Sequence, residues 1–139
     1  MISRVLRFLL ATLAILVIGA CTPAASPRAT ARAAVVSIAH GVLLGADACH
    51  VAVLAREGAG DAAGALAMGR KCSGALHKAR DAARLGASAV DGWDDGKNPT
   101  CAIGAGVIAL AEVSEISGTK SEELADVLKF ASGFGKDCR

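Results

Sequence analysis

Tyrosine is absent from this 139-residue chain, and a single Trp and three Phe make up all of its aromatics, 3% of residues. Sheets draw on aromatic and β-branched side chains, so the scarcity argues against a strand-rich fold. It also removes the platforms on which nucleic-acid bases stack. There is no HExxH pair, no nucleophile elbow and no paired Cys/His ligand spacing, which leaves the common zinc and serine-hydrolase signatures unfilled. The formal net charge is only +2.

What is present begins at the N-terminus. Residues 1–7 carry Arg4 and Arg7 and no acid, and residues 8–18 are apolar apart from Thr12. A basic start, an apolar stretch of about 7–15 residues and a small-residue exit are the parts of a secretory signal. A retained transmembrane helix is the alternative, but spanning the hydrocarbon core takes roughly 20 apolar residues. Even counted through Cys21 the run is short, and Pro23 follows it.

The exit reads Ile18-Gly19-Ala20-Cys21. It resembles the lipobox of bacterial lipoproteins: an aliphatic residue, two smaller residues and a cysteine. The resemblance covers residues 1–21 only. It implies cleavage before Cys21 and a lipid on that cysteine, and Thr22 in place of Asp implies sorting to the outer membrane, facing the periplasm. The alternative is ordinary cleavage after Ala29-Thr30-Ala31, which would give a soluble periplasmic or secreted protein. The chain thus divides into a signal peptide over 1–20, a lipidated cysteine and flexible tether over 21–32, and a helical domain over 33–139. Residues 22–32 hold two prolines and no large apolar residue, hence the expectation of an extended tether.

Alanine dominates the domain and is the best helix former. Four helices are expected. The first runs from Ala33 to Glu57, with Val35, Ile38, Val42, Ala46, Cys49 and Val53 at the spacing of one face. The second runs from an Asp61 cap to Val90, facing inward with Leu66, Gly69, Cys72, Leu76, Ala79, Ala83 and Val90. The third runs from Pro99 to Ser117. The fourth follows a capping box of Thr119 and Glu122 and continues to about Asp137, with Leu124, Val127, Leu128, Ala131, Phe134 and Cys138 on one face.

The five cysteines are Cys21, Cys49, Cys72, Cys101 and Cys138. Assigning Cys21 to lipid leaves four, and export makes pairing the default. Cys49 and Cys72 average to position 60.5 and Cys101 and Cys138 to 119.5, each inside an expected helix-helix turn. Residues equidistant from the turn of an antiparallel hairpin lie opposite one another. The expected fold is therefore all-α: a small four-helix bundle of two disulfide-stapled hairpins, Cys49–Cys72 and Cys101–Cys138.

Loss of Arg4 and Arg7 leaves 13 Lys and Arg against 13 Asp and Glu. Residues 22–90 then carry net +4 and residues 91–139 net −4. Either the two hairpins attract and dock, or Arg70, Lys71, Lys78, Arg80 and Arg84 face an anionic partner or lipid headgroups.

Candidate chemical groups are few. Ser73, His77 and Asp81 are spaced i, i+4, i+8 on one helix face, in the order of a hydrolase triad but without an oxyanion hole; a solvated polar stripe has the same spacing. His40, Asp47 and His50 share one broad face of the first helix. DGWDDGKN, residues 91–98, has the acids of a calcium loop but puts Trp93 where its second ligand belongs. Trp93 either closes the end of the bundle or stands out as a binding anchor. No catalytic, metal or cofactor site is assigned. The function expected is a noncatalytic binding module of the cell envelope with a protein partner and no nucleic acid, in an inhibitor, immunity, exclusion or accessory role. The alternatives are a small-ligand or metal carrier and, third, a small hydrolase.

Overall fold

The computed structural model describes residues 26–118 and 121–134, and all of its regular structure is helical. Helix α1 spans Pro27–Gly58, α2 Ala62–Asp91, α3 Thr100–Ser117 and α4 Glu122–Ala131. Short 3-10 turns follow α2 at Trp93–Asp95 and α4 at Ser132–Phe134. Cys21, Cys138 and Thr119 lie outside the described residues, as does the whole lipobox.

The caps explain where the helices start. The Ser26 hydroxyl accepts from the Ala29 N–H at 3.2 Å, and Pro27 occupies the first turn, where its missing N–H costs nothing. Helix α1 therefore begins six residues before the expected Ala33, and residues 27–32 of the expected tether are helical. Proline, read as a mark of extended chain, here starts a helix instead. Asp61 caps α2 as expected, accepting from the Gly64 N–H at 2.9 Å, and the Arg56 guanidinium donates to the same carboxylate at 3.0 Å. The α4 cap is Ser121, not Thr119: its hydroxyl accepts from the Leu124 N–H, and Glu122 and Glu123 sit favourably against the positive end of the helix. Helix α4 passes into its 3-10 turn after Ala131, and the expected end at Asp137 lies outside the described residues.

The four helices pack together. Helices α1, α2 and α3 contact one another in all three pairs, and α4 lies against α1 and α3. Ile38, Ile103 and Leu110 are fully buried at the centre, among alanines. Close approach of α1 and α3 rests on glycine. A Cβ on Gly41 would stand 2.6 Å from a Leu110 methyl, and one on Gly45 2.9 Å from a Val113 methyl. A Cβ on Gly106 would likewise meet Ile38 at 2.9 Å. By length and composition α1 and α3 could each cross a membrane, a test that buried core helices also pass.

One expected staple is present in full. Cys49 and Cys72 are bonded, with their Cα atoms 6.1 Å apart, and they sit in a second small core with Ala75 and Val113. Cys101 is disulfide-bonded too; Cys138, its expected partner, is outside the described residues.

Candidate functional site

The buried faces of α1 and α2 are not quite those the hydropathy pattern suggests. On α1 the buried positions are Ala31, Ala34, Val35, Ile38, Gly41, Gly45, Ala48 and Cys49, whereas Ala46 is exposed and Val42 and Val53 are half-buried. At ~100° per residue the buried arc is rotated by roughly 50° from the expected stripe. On α2 the buried set is centred on Cys72, Ala75, Ala79, Ala82, Ala83 and Gly86, and Leu66 is exposed rather than inward. The apolar positions rotated out on both helices meet along their outer seam.

There they form a cleft. Its central part, about 430 Å³, is walled by Val42, Ala46, His50 and Val53 of α1 and by Gly69, Ser73, Leu76, His77 and Arg80 of α2, over the Cys49–Cys72 bridge. Beyond Val42 and Arg80 it continues between Val36, Ala39 and Leu43 on one side and Ala83, Arg84 and Ala87 on the other. Val36 and Leu43 are 62% and 65% exposed. In the other direction it runs past Val53 and Ser73 toward Glu57, Leu66 and Arg70.

Ser73 and His77 both line the cleft and both are exposed; Asp81 is exposed and pairs instead with Arg84 at 4.0 Å. Among the described residues no hydrogen bond joins Ser73 to His77 or His77 to Asp81, so the triad order is not assembled into a relay. Of His40, Asp47 and His50, all exposed, His50 lines the cleft. Among the described residues no three His, Cys, Asp or Glu side chains converge as metal ligands. Trp93 is half-buried and packs against the main core. Its neighbour Asp94 accepts from Arg28 at 2.9 Å, and Asp91 from Arg32 at 3.5 Å.

Lys78 to Glu112 at 3.1 Å joins α2 to α3, whereas Asp91 is the last residue of α2 and Asp94 lies in the turn directly after it, so the other two pairs tie the start of α1 to the end of α2. Among the described residues one ion pair, Lys78–Glu112, thus bridges the two hairpins, and such an exposed pair contributes little. The cationic residues of α2 split accordingly. Lys78 turns to α3, whereas Arg70, Arg80 and Arg84 border the cleft. Among the described residues Arg70 and Arg80 have no carboxylate within ion-pair distance.

The open seam was missed in the sequence. Its signal was the surplus of apolar residues on α1 outside the expected stripe, of which Val36 and Leu43 line the cleft, combined with Gly41 and Gly45 four residues apart on another side. Comparison with known protein families, curated proteins and solved structures finds no match to this chain.

Proposed function

We propose that the chain is a lipid-anchored protein of the bacterial cell envelope whose helical domain is a noncatalytic binding module. In this reading Cys21 carries the lipid, the anchor lies in the outer membrane, and the domain faces the periplasm. The observation that carries it is the Cys49–Cys72 disulfide within a small helical domain, behind an N-terminus with the composition of an export signal. Disulfides persist in oxidising compartments and are rare in reducing ones. Binding is supported by the cleft, an open seam with largely apolar walls along α1 and α2. The role is that of an inhibitor, immunity, exclusion or accessory protein, and its partner is a protein of the same compartment.

The same cleft favours one second reading, a small-ligand carrier, since its central part has the volume of a small-molecule site. Against it stands the shape: the cleft is an open seam along two helices rather than an enclosed pocket, and open seams bury little of a small ligand.

Replacing the acceptor tests the anchor. Cells expressing Cys21→Ser should show no incorporation of radioactive fatty acid into the protein, and the precursor should accumulate unprocessed. Undiminished labelling in that variant would sink the lipoprotein reading.

A further inference from the structure

The chain covers one seam of α1 with an acidic amphipathic helix of its own. Helix α4 buries Leu124 and Ala131 against α1 and α3 and leaves Glu122, Glu123 and Asp126 exposed. The seam that α1 forms with α2 has no such cover among the described residues, yet it is built to receive one. Its walls are apolar, and Ala39, Ala46, Gly69 and Ala83 keep them low, which lets a helix axis approach closely. From Val35 to Val53 it runs about 27 Å, at ~1.5 Å per residue, the length of an 18-residue helix.

Charge narrows the occupant. Arg80 and Arg84 stand along the central and upper cleft, and no Asp or Glu lines either part. Asp81 lies beside them and partly offsets Arg84, with both groups about two-thirds exposed. A second copy of the chain laid seam to seam would join two clefts whose central and upper parts carry Arg80 and Arg84 and no carboxylate, a like-charge juxtaposition that opposes association. The chain's own acidic amphipathic helix, α4, already has its apolar face turned to α1 and α3. A membrane surface is flat, and the seam is concave. Helix-in-groove recognition, in which an apolar face seats and flanking charges set orientation, fits all of these features.

We infer that the α1–α2 cleft is the docking groove for an acidic amphipathic helix of a partner protein, seated on Val42 and Ala46 with its carboxylates toward Arg80 and Arg84. The inference rests on the binding-module reading and names the chemistry of the partner.

A photo-crosslinking amino acid placed at Leu43, on the cleft wall, tests it in cells that make the full-length protein, with the same probe at the 72% exposed Ile108 of α3 as the control position. The expected result is a crosslink from Leu43 to one envelope protein, mapped by mass spectrometry to a segment with apolar residues at three-four spacing and a net negative charge. Arg80→Glu with Arg84→Glu should cut the yield about ten-fold or more, with the circular dichroism of the purified variant unchanged. Arg80→Gln should cut it less. Reversing the acids of the mapped segment to Lys should restore crosslinking to the double variant. Crosslinks to phospholipid, to a segment without acidic residues, or at a yield indifferent to both arginine variants would overturn the inference. A protein crosslink from Ile108 and none from Leu43 would overturn the groove and leave the binding-module reading standing. Silence at both positions would overturn the two together.

Discussion

Helix α1 has two apolar sides with different fates. On one, Gly41 and Gly45 admit the methyls of Leu110 and Val113, and the contact with α3 is closed. On the other, Val36 and Leu43 carry larger side chains that stay mostly in solvent along the seam with α2. Hydropathy ranks the second side above the first, since glycine contributes no apolar side chain at all. Burial followed the reverse order. In an Ala- and Gly-rich bundle the distance of closest approach selects the covered side, because two helices gain dispersion contacts only where their backbones can come together.

The disulfide ties the two sides to one framework and gives the largest expected effect. Replacing Cys49 and Cys72 together by Ala should lower stability by about 3–4 kcal/mol on chain-entropy grounds for a loop of this length. Urea denaturation of the oxidised wild type against the double variant measures it. Cys49→Ala alone should cost a similar amount and also leave a free Cys72 thiol able to form mixed disulfides. Non-reducing peptide mapping of the wild type should link the Cys49 segment to that of Cys72, and Cys101 to Cys138. A Cys49 link to Cys101 or Cys138 would contradict consecutive hairpins.

Next comes the closed side. Gly41→Val should destabilise by about 1–3 kcal/mol, because the new side chain overpacks Leu110, itself fully buried, and meets Val127 at 3.1 Å from its Cβ. Gly41→Ala should cost less: the residue gains about 0.8–1 kcal/mol of intrinsic helix propensity, which offsets part of the clash. Stabilisation by Gly41→Val would mean that α1 and α3 do not approach as closely as described, and the contrast between the two sides of α1 would lose its basis.

These glycines also show how much was legible in the sequence. The cysteine midpoint located the first hairpin because a disulfide and an antiparallel pair share one symmetry, and the Cys49–Cys72 bond follows. Asp61 was legible as a cap because its carboxylate acts within its own turn. The start of α1 was not, since Pro27 fits extended chain and the first helical turn equally well, and only burial of Ala31 and Ala34 in the core decides between them. Ser121, two residues after the expected Thr119, caps α4, and the two glutamates directly after it favour that position. Leu66 was placed inward by its hydropathy and lies outside. Stripe counting has little contrast when most facing positions are Ala, so it finds the helices and misjudges their rotation. The cleft fell into that error, being made of the apolar positions that the rotation turned outward.

A smaller effect belongs to the turn between α1 and α2. Asp61→Ala removes the acceptor of the Gly64 N–H and the partner of Arg56. The expected loss is about 1 kcal/mol, nearly all of it from the cap, because the Arg56 pair is half-exposed and screened. Asp61→Asn keeps a capping oxygen and should recover most of the stability. A midpoint for Asp61→Asn as low as that for Asp61→Ala would place the effect in the charge pair instead.

The smallest expected effect is on the open side. Leu43 sits two residues from Gly41 and is 65% exposed. Leu43→Ser therefore exchanges solvent-facing methyls for a hydroxyl and opens no cavity, so the urea midpoint should move by no more than ~0.5 kcal/mol equivalent, the usual range for surface positions. Val36→Ser, 62% exposed on the same wall, should behave alike, and the two together should add. The near-silence is informative because Gly41→Val, about half a turn away on the same helix, is expected to cost several times more. A loss above about 1 kcal/mol for Leu43→Ser would mean that the seam is covered in the native protein. If that loss grew with protein concentration, the cover would be a second copy, and the like-charge argument built on Arg80 and Arg84 would fail with it.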